Sequence, residues 1–214
     1  MKRTALSVLL AAAFVAPVAM ASAAAPAASQ QAGTPSRLVL ENSTRMLNTL
    51  ETRRAEFAKN RTALKQFVSS EFNQMFDRNY AARLVLGAHG RGASDADVAT
   101  FADALSENLM QRYGSSLLDF NTRLTVKVKS ETPIGNGLAT RVSTQMLRSG
   151  GEPIPVDYLM HQVNGQWKVF DVLVEGVSFV QTFRSQFDGP LSHASIAQVA
   201  ADLKAGKLQA KAKQ

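Results

Sequence analysis

The chain has 214 residues, no cysteine, 24 Lys and Arg against 17 Asp and Glu, and a formal net charge of +7. Without cysteine, thiol catalysis, disulfides and thiolate-bound metals are excluded. Lys2 and Arg3 at one end and four lysines after Asp202 at the other account for most of the excess, leaving 18 basic and 17 acidic residues between; that mixture is unlike the basic, aromatic-studded stripe of a nucleic-acid binder.

Lys2 and Arg3 precede an apolar run from Ala5 to Val18, and small residues follow at the spacing of a signal peptidase site. This is the pattern of a secretory signal peptide. It is taken as residues 1–23, with cleavage after Ala21, Ala23 or Ala25. The run is short for a membrane span, which needs about 20 apolar residues. With no Cys behind it there is no lipid attachment site. The Ala/Pro/Ser/Gln segment 24–35 reads as a flexible leader, and residues 36–204 as one domain. The Lys-rich tail 205–214 reads as a solvated or frayed end, with attraction to anionic membrane surfaces as a sharper alternative. The mature protein is expected to be soluble and outside the cytoplasm.

From residue 36 to about 120 the apolar spacing is helical. Val39, Met46, Leu47, Leu50 and Phe57 recur at helical intervals. A second run spans Leu64 to Leu86 and carries Phe67, Val68, Phe72, Phe76, Tyr80 and Leu84. After a glycine-rich loop at 87–92, Ser94 is an expected N-cap, with Asp95 and Asp97 where carboxylates favour the helix dipole. The period then changes to two. Leu124, Val126 and Val128 alternate with polar residues; 138–147 alternates again; Val156, Tyr158 and Met160 share a face. Asn164-Gly165 is a hairpin turn signal, leading into a strand at 167–174 that is apolar on both faces and so needs cover on both. Helical spacing resumes at Val177, Val180, Phe183 and Phe187, and a last helix starts near Ser192 or Ser195. The fold class is α+β: helices, then a four-stranded antiparallel sheet, then closing helices.

A search for chemistry finds little. The glycines at 87–92 follow a helical run in the order G-x-x-G-x-G and lack a Walker lysine, so they do not match a nucleotide loop. His89, His161 and His193 have no partner at metal-ligand spacing. Glu175-Gly176-Val177-Ser178 is not a nucleophile elbow, and Ser178 reads as an N-cap or a small polar residue starting the next helix. Asp171, inside an apolar strand, has two readings: a buried general base, or a carboxylate paired across strands with Arg141, Arg148 or Lys168. The second is favoured, and no catalytic residue or metal site is assigned.

Four stretches resemble a known family. They are Leu84-Val85-Leu86-Gly87; Phe101-Ala102-Asp103-Ala104-Leu105 running to Gln111-Arg112-Tyr113-Gly114; Val156-Asp157-Tyr158 with Gly165-Gln166-Trp167-Lys168-Val169-Phe170-Asp171-Val172; and Val174-Glu175-Gly176-Val177-Ser178 with Arg184-Ser185-Gln186-Phe187. In order and spacing, over residues 36–204, they are similar to the MlaC (toluene-tolerance) family, the periplasmic phospholipid-binding component of the Mla lipid-asymmetry pathway. The resemblance implies a phospholipid carrier, not an enzyme, moving lipid between an outer-membrane lipoprotein–porin complex and an inner-membrane ABC transporter complex. It also implies a curved antiparallel sheet with the acyl chains held in an apolar cavity between sheet and helices. The bound phospholipid is cargo, no cofactor is implied, and a monomer without nucleic acid is expected. Periodicity, not the resemblance, selects a lipid-binding set: Leu84, Phe101, Leu105, Leu109, Val126, Val142, Tyr158, Met160, Val169, Val172, Val174, Val177 and Val180. A small-molecule enzyme using Asp171 and a periplasmic lipoprotein chaperone stand as alternatives.

Overall fold

A computed structural model of the protein describes residues 33–118 and 124–211. The expected signal segment and nearly all of the leader lie outside the described residues. Helices α1 (Pro35–Thr52), α2 (Arg54–Lys59), α3 (Arg61–Met75), α4 (Arg78–Leu86) and α5 (Asp95–Tyr113) come first. Strands β1 (Leu124–Ile134), β2 (Ala139–Arg148), β3 (Ile154–Val163), β4 (Gln166–Val174) and β5 (Val177–Ser178) follow, then α6 (Phe179–His193) and α7 (Ile196–Lys204). No helix among the described residues is long and apolar enough to cross a membrane.

The helix starts follow the capping rule that a side-chain oxygen satisfies an otherwise orphaned N–H. Thr34 accepts from Arg37 N, Ser94 from Asp97 N, Ser178 from Gln181 N and Ser195 from Gln198 N. The run expected from Leu64 to Leu86 is broken. Phe76 turns to extended geometry, makes a parallel bridge with Val169, and Asp77 N–H donates to Val169 O at 2.8 Å. The Asp77 carboxylate then accepts from Tyr80 N at 3.0 Å and restarts the helix as α4. The helix ends at Gly87, where φ is +55°; a Cβ there would lie 2.7 Å from Arg184 Nε, so both the conformation and the space call for glycine.

The sheet is an antiparallel meander in the order β1-β2-β3-β4-β5. Asn164 and Gly165 both take positive φ (51° and 77°), as a two-residue hairpin turn of this hand requires. The fifth strand, additional to the four expected, arises because Glu175 and Gly176 also take positive φ (52° and 80°) and fold Val177–Ser178 back on Leu173 and Val174. A bulge explains the two-faced look of β4. Met160 pairs with Val169 but Leu159 with Asp171, so Phe170 is the extra residue and the alternation changes phase there. Val169 and Val172, three apart, therefore both pack in the cluster under the sheet.

The core has three parts. Helices α4 to α7 bury Val85, Leu86, Phe101, Phe183, Phe187 and Leu203 among themselves. Val39, Val142, Met160 and Val169 form a second cluster under the sheet, and Leu50, Phe57, Leu64 and Leu118 a third among α1 to α3. Up to Lys211, the segment after α7 is docked on the body instead of trailing from it. Ala210 is fully buried, and Asn108 on α5 holds the segment: its Nδ2 donates to Leu203 O (2.8 Å) and Leu208 O (3.1 Å), and its Oδ1 accepts from Ala210 N (2.9 Å).

Candidate lipid cavity

A cavity of about 220 Å³ opens where the β4 edge of the sheet meets α3 to α6. Phe72 and Phe76 close it from α3, Ala81, Ala82 and Val85 from α4, Ala102, Leu105, Ser106 and Leu109 from α5, and Phe179, Val180 and Phe183 from α6. The bulged stretch Phe170-Asp171-Val172 supplies the sheet side, and Arg78 stands on the wall with them. The space follows from residue size. Ala81, Ala82 and Ala102 face each other across α4 and α5, while the phenylalanines prop the rim. Apart from Arg78, Ser106 and Asp171 the lining is hydrocarbon, and an apolar cavity holds hydrocarbon well.

Asp171 is the buried acid of the wall, 7% exposed, and its surroundings correct the expected cross-strand ion pair. Its carboxylate accepts from Ser178 Oγ (2.5 Å), Val180 N (3.1 Å) and Val172 N (2.8 Å). Leu159 is its neighbour across the register, and Lys168 instead donates to Gln74 O at 2.5 Å. Asp171 thus ties the first turn of α6 to β4, serving orphan N–H groups beside Ser178, which caps the same helix end through Gln181 N. Each described donor to it is neutral, so the carboxylate pins the cavity wall through hydrogen bonds and not through an ion pair.

The histidines are engaged locally. His161 Nε2 lies 3.0 Å from Asp77 Oδ2 and its ring stacks on Tyr80 at 4.5 Å, with Phe170 edge-on at 5.3 Å. His89 Nε2 lies 3.0 Å from Asp188 Oδ1, and His193 is exposed near the end of α6. Among the described residues no group of three or more His, Asp or Glu could hold a metal ion. Tyr158, half-buried under the sheet with its hydroxyl 3.5 Å from Ser43 Oγ, has its phenol pushed above the ordinary value of 10.0 by burial, with the Ser43 contact opposing.

The periodicity-selected residues divide into groups. Leu105, Leu109, Val172 and Val180 line the cavity. Leu84 and Phe101 pack in the helical cluster, Phe101 edge-on to Phe187 at 5.6 Å. Val142, Tyr158, Met160 and Val169 belong to the cluster under the sheet, whose partners Phe76 and Val172 also face the cavity. Val126 and Val174 are half-buried along β1 and β4, and Val177 on β5 is 40% exposed. Periodicity places a residue on a face, whereas the cavity lies at the edge of the sheet. That is why the selection reached the centre of the sheet and passed over Phe72, Phe76, Phe170, Phe179 and Phe183. The signal that pointed there is the pairing of small residues at 81, 82 and 102 with phenylalanines at 72, 76, 179 and 183.

The protein is 27% identical over 167 residues to the toluene tolerance protein ttg2D of Pseudomonas putida, covering 77% of this chain and 76% of that one. It is 22% identical over 162 residues to the intermembrane phospholipid transport system binding protein MlaC of Haemophilus influenzae, covering 74% and 75%. Its fold is shared with a phospholipid-binding protein from Ralstonia solanacearum solved in complex with a phospholipid, at a TM-score of 0.70 and 19% identity, over 80% of this chain and 97% of that one. The family profile described as MlaC protein matches residues 40–205, and the chain belongs to that family.

Proposed function

We propose that the protein is a soluble periplasmic carrier that holds a phospholipid by its acyl chains and moves it between the outer and inner membranes, so maintaining outer-membrane lipid asymmetry. The observation that carries this reading is the apolar cavity at the β4 edge, walled by Phe72, Phe76, Leu105, Leu109, Val172, Val180 and Phe183. A relative named for intermembrane phospholipid transport, and a structural neighbour holding a phospholipid, support it. On this reading an outer-membrane lipoprotein–porin complex and an inner-membrane ABC transporter complex are the partners at either end, and the lipid is cargo, not a cofactor.

The physics explains why such a protein is needed. Burying a methylene yields about 0.8 kcal/mol, so a lipid with about 30 of them costs on the order of 20 kcal/mol to expose to water. Unaided exchange between membranes is then negligible. A carrier has to shield the tails and can leave the headgroup wet. Asp171 speaks against the enzyme alternative, because its oxygens are occupied by the groups that fix α6 to β4. A general base has to offer a lone pair to substrate.

The test is organic extraction of the protein purified from the periplasm, followed by lipid mass spectrometry. Stoichiometric phospholipid is expected. Folded protein that comes from cells lipid-free would falsify the carrier reading, and displacement of phospholipid by an acylated peptide at equal concentration would favour the lipoprotein chaperone.

A further inference from the structure

A second, polar cleft of about 370 Å³ adjoins the apolar cavity, and the two share Phe76 and Arg78 on their walls. Resting on the carrier reading, we infer that this cleft is a headgroup subsite: it takes the phosphodiester of the bound lipid on Arg78 and Lys168, with the amides of Asn73 and Asn79 beside them. Both cations line the cleft. Arg78 gives Nη2 to Asp103 Oδ1 at 2.6 Å, and its guanidinium carries five N–H donors in a planar fork, so donors remain for a second anion. Lys168 gives one N–H to Gln74 O at 2.5 Å and has three in all. Asp77 is the acid on this wall; its two oxygens are turned to Tyr80 N and His161 Nε2.

The position of the cleft selects its ligand. A glycerophospholipid places its phosphate a few bonds from the head of the tails, and a tail seated between Phe72, Phe76 and Val172 brings that phosphate to the wall where the cavities meet. Two cations against Asp77 and the ion-paired Asp103 make the neighbourhood electrically balanced. A free phosphate therefore gains little there, whereas a phosphate tethered by buried tails arrives at high effective concentration. Restarting the helix at Arg78, two residues after the Phe76 bridge, is what puts an apolar rim and a cation close together in the chain.

The test uses full-length mature protein stripped of lipid, incubated with phosphatidylglycerol vesicles doped with diacylglycerol of the same tails, and then re-isolated. The phospholipid-to-diacylglycerol ratio in the protein, normalised to the vesicle, is read by mass spectrometry. Wild type is expected to favour phospholipid, and the Arg78→Gln/Lys168→Gln variant to lose about tenfold of that preference, roughly one charge-assisted hydrogen bond; because Arg78 also stands on the tail-cavity wall, total lipid uptake is recorded beside the ratio. Asp103→Asn breaks the same ion pair from the other side but keeps the cation, so it should retain the preference; an equal loss in Asp103→Asn assigns Arg78 a structural role and overturns the inference. An unchanged ratio in the double variant also overturns it, yet leaves the carrier reading standing, since both lipids are still taken up. Wild type that takes up neither lipid refutes the carrier reading itself. Glycerol phosphate binding the stripped protein as tightly as phospholipid does, by calorimetry, would make this a free-phosphate site and sink the headgroup assignment. Should the double variant fail to fold by circular dichroism, Lys168→Gln alone carries the test, because among the described residues its ammonium bonds a backbone carbonyl on an exposed part of α3.

Discussion

Replacing Asp171 by alanine should loosen the cavity wall more than its single side chain suggests. The carboxylate is 7% exposed and accepts from Val172 N, Val180 N and Ser178 Oγ. Alanine strands the two backbone N–H groups, each costing about 1–3 kcal/mol when buried without a partner, while the Ser178 hydroxyl can rotate to another acceptor. The sum is about 3–4 kcal/mol, or roughly 10 °C in Tm for a domain of this size. Asparagine keeps one oxygen where the two N–H groups need it and loses mainly the charge on the Ser178 bond, so Asp171→Asn should cost only about 1 kcal/mol. Thermal and urea unfolding of the three proteins would check the order and spacing. If Asp171→Ala shifted stability by no more than the roughly 0.5 kcal/mol of an ordinary surface change, or if the two variants matched, Asp171 would not be the anchor of α6 described here.

Val172→Trp should lower co-purifying lipid without unfolding the protein, at an overpacking cost of about 1–3 kcal/mol, while Val174→Trp, outside the cavity wall, should leave lipid content unchanged; lipid mass spectrometry with circular dichroism separates the two. Asn108→Ala should free the segment 205–211 at a cost of about 2–3 kcal/mol, read as lost hydrogen-exchange protection at Ala210 with α5 still protected. Tyr158 holds its proton in the folded state above the ordinary value of 10.0, so its contribution is complete below that pH and is lost as pH rises past it, when only the unfolded chain ionises. Tyr158→Phe should therefore lose less stability between neutral and strongly alkaline pH than wild type does; equal slopes would contradict the burial argument. Loading lipid onto stripped protein should slow exchange of the Asp77 and Val180 N–H groups more than that of Phe101, measured by native-state hydrogen exchange.

Much of the fold was legible because it rests on local rules. Ser94 and Ser178 cap helices as expected, the last helix starts after Ser195, one of the two starts expected, Asn164-Gly165 turns the hairpin, and the change from helical to alternating spacing marks the start of the sheet. What stayed hidden depends on contacts distant in sequence. The break at Phe76 is made by Val169, more than ninety residues on, and the phase change at Phe170 by its pairing with β3. The tail read as frayed is held by Asn108, whose amide takes up three backbone groups that the sequence near Ala210 does not advertise. The cavity falls in the same class. It lies where two clusters meet, and periodicity describes each cluster but not the seam between them.

That seam also bears on how lipid enters. At about 220 Å³ the cavity is smaller than the roughly 300–1,000 Å³ of ordinary small-molecule pockets. Moving its walls apart would enlarge it. Helices α4 to α7 share one cluster, while the end of α3 packs with the sheet in another. The polar ties between these bodies include Asp171 to the first turn of α6 and Asp77 N to Val169 O. Parting the two clusters along that line widens the cavity without opening either core. It moves the phenylalanines of α3 and α6 away from each other and leaves the hydrogen bonds within every helix and strand intact. The methylene energy that holds the lipid is then recovered tail by tail as the clusters close over it, and release needs a membrane or partner surface that keeps them apart.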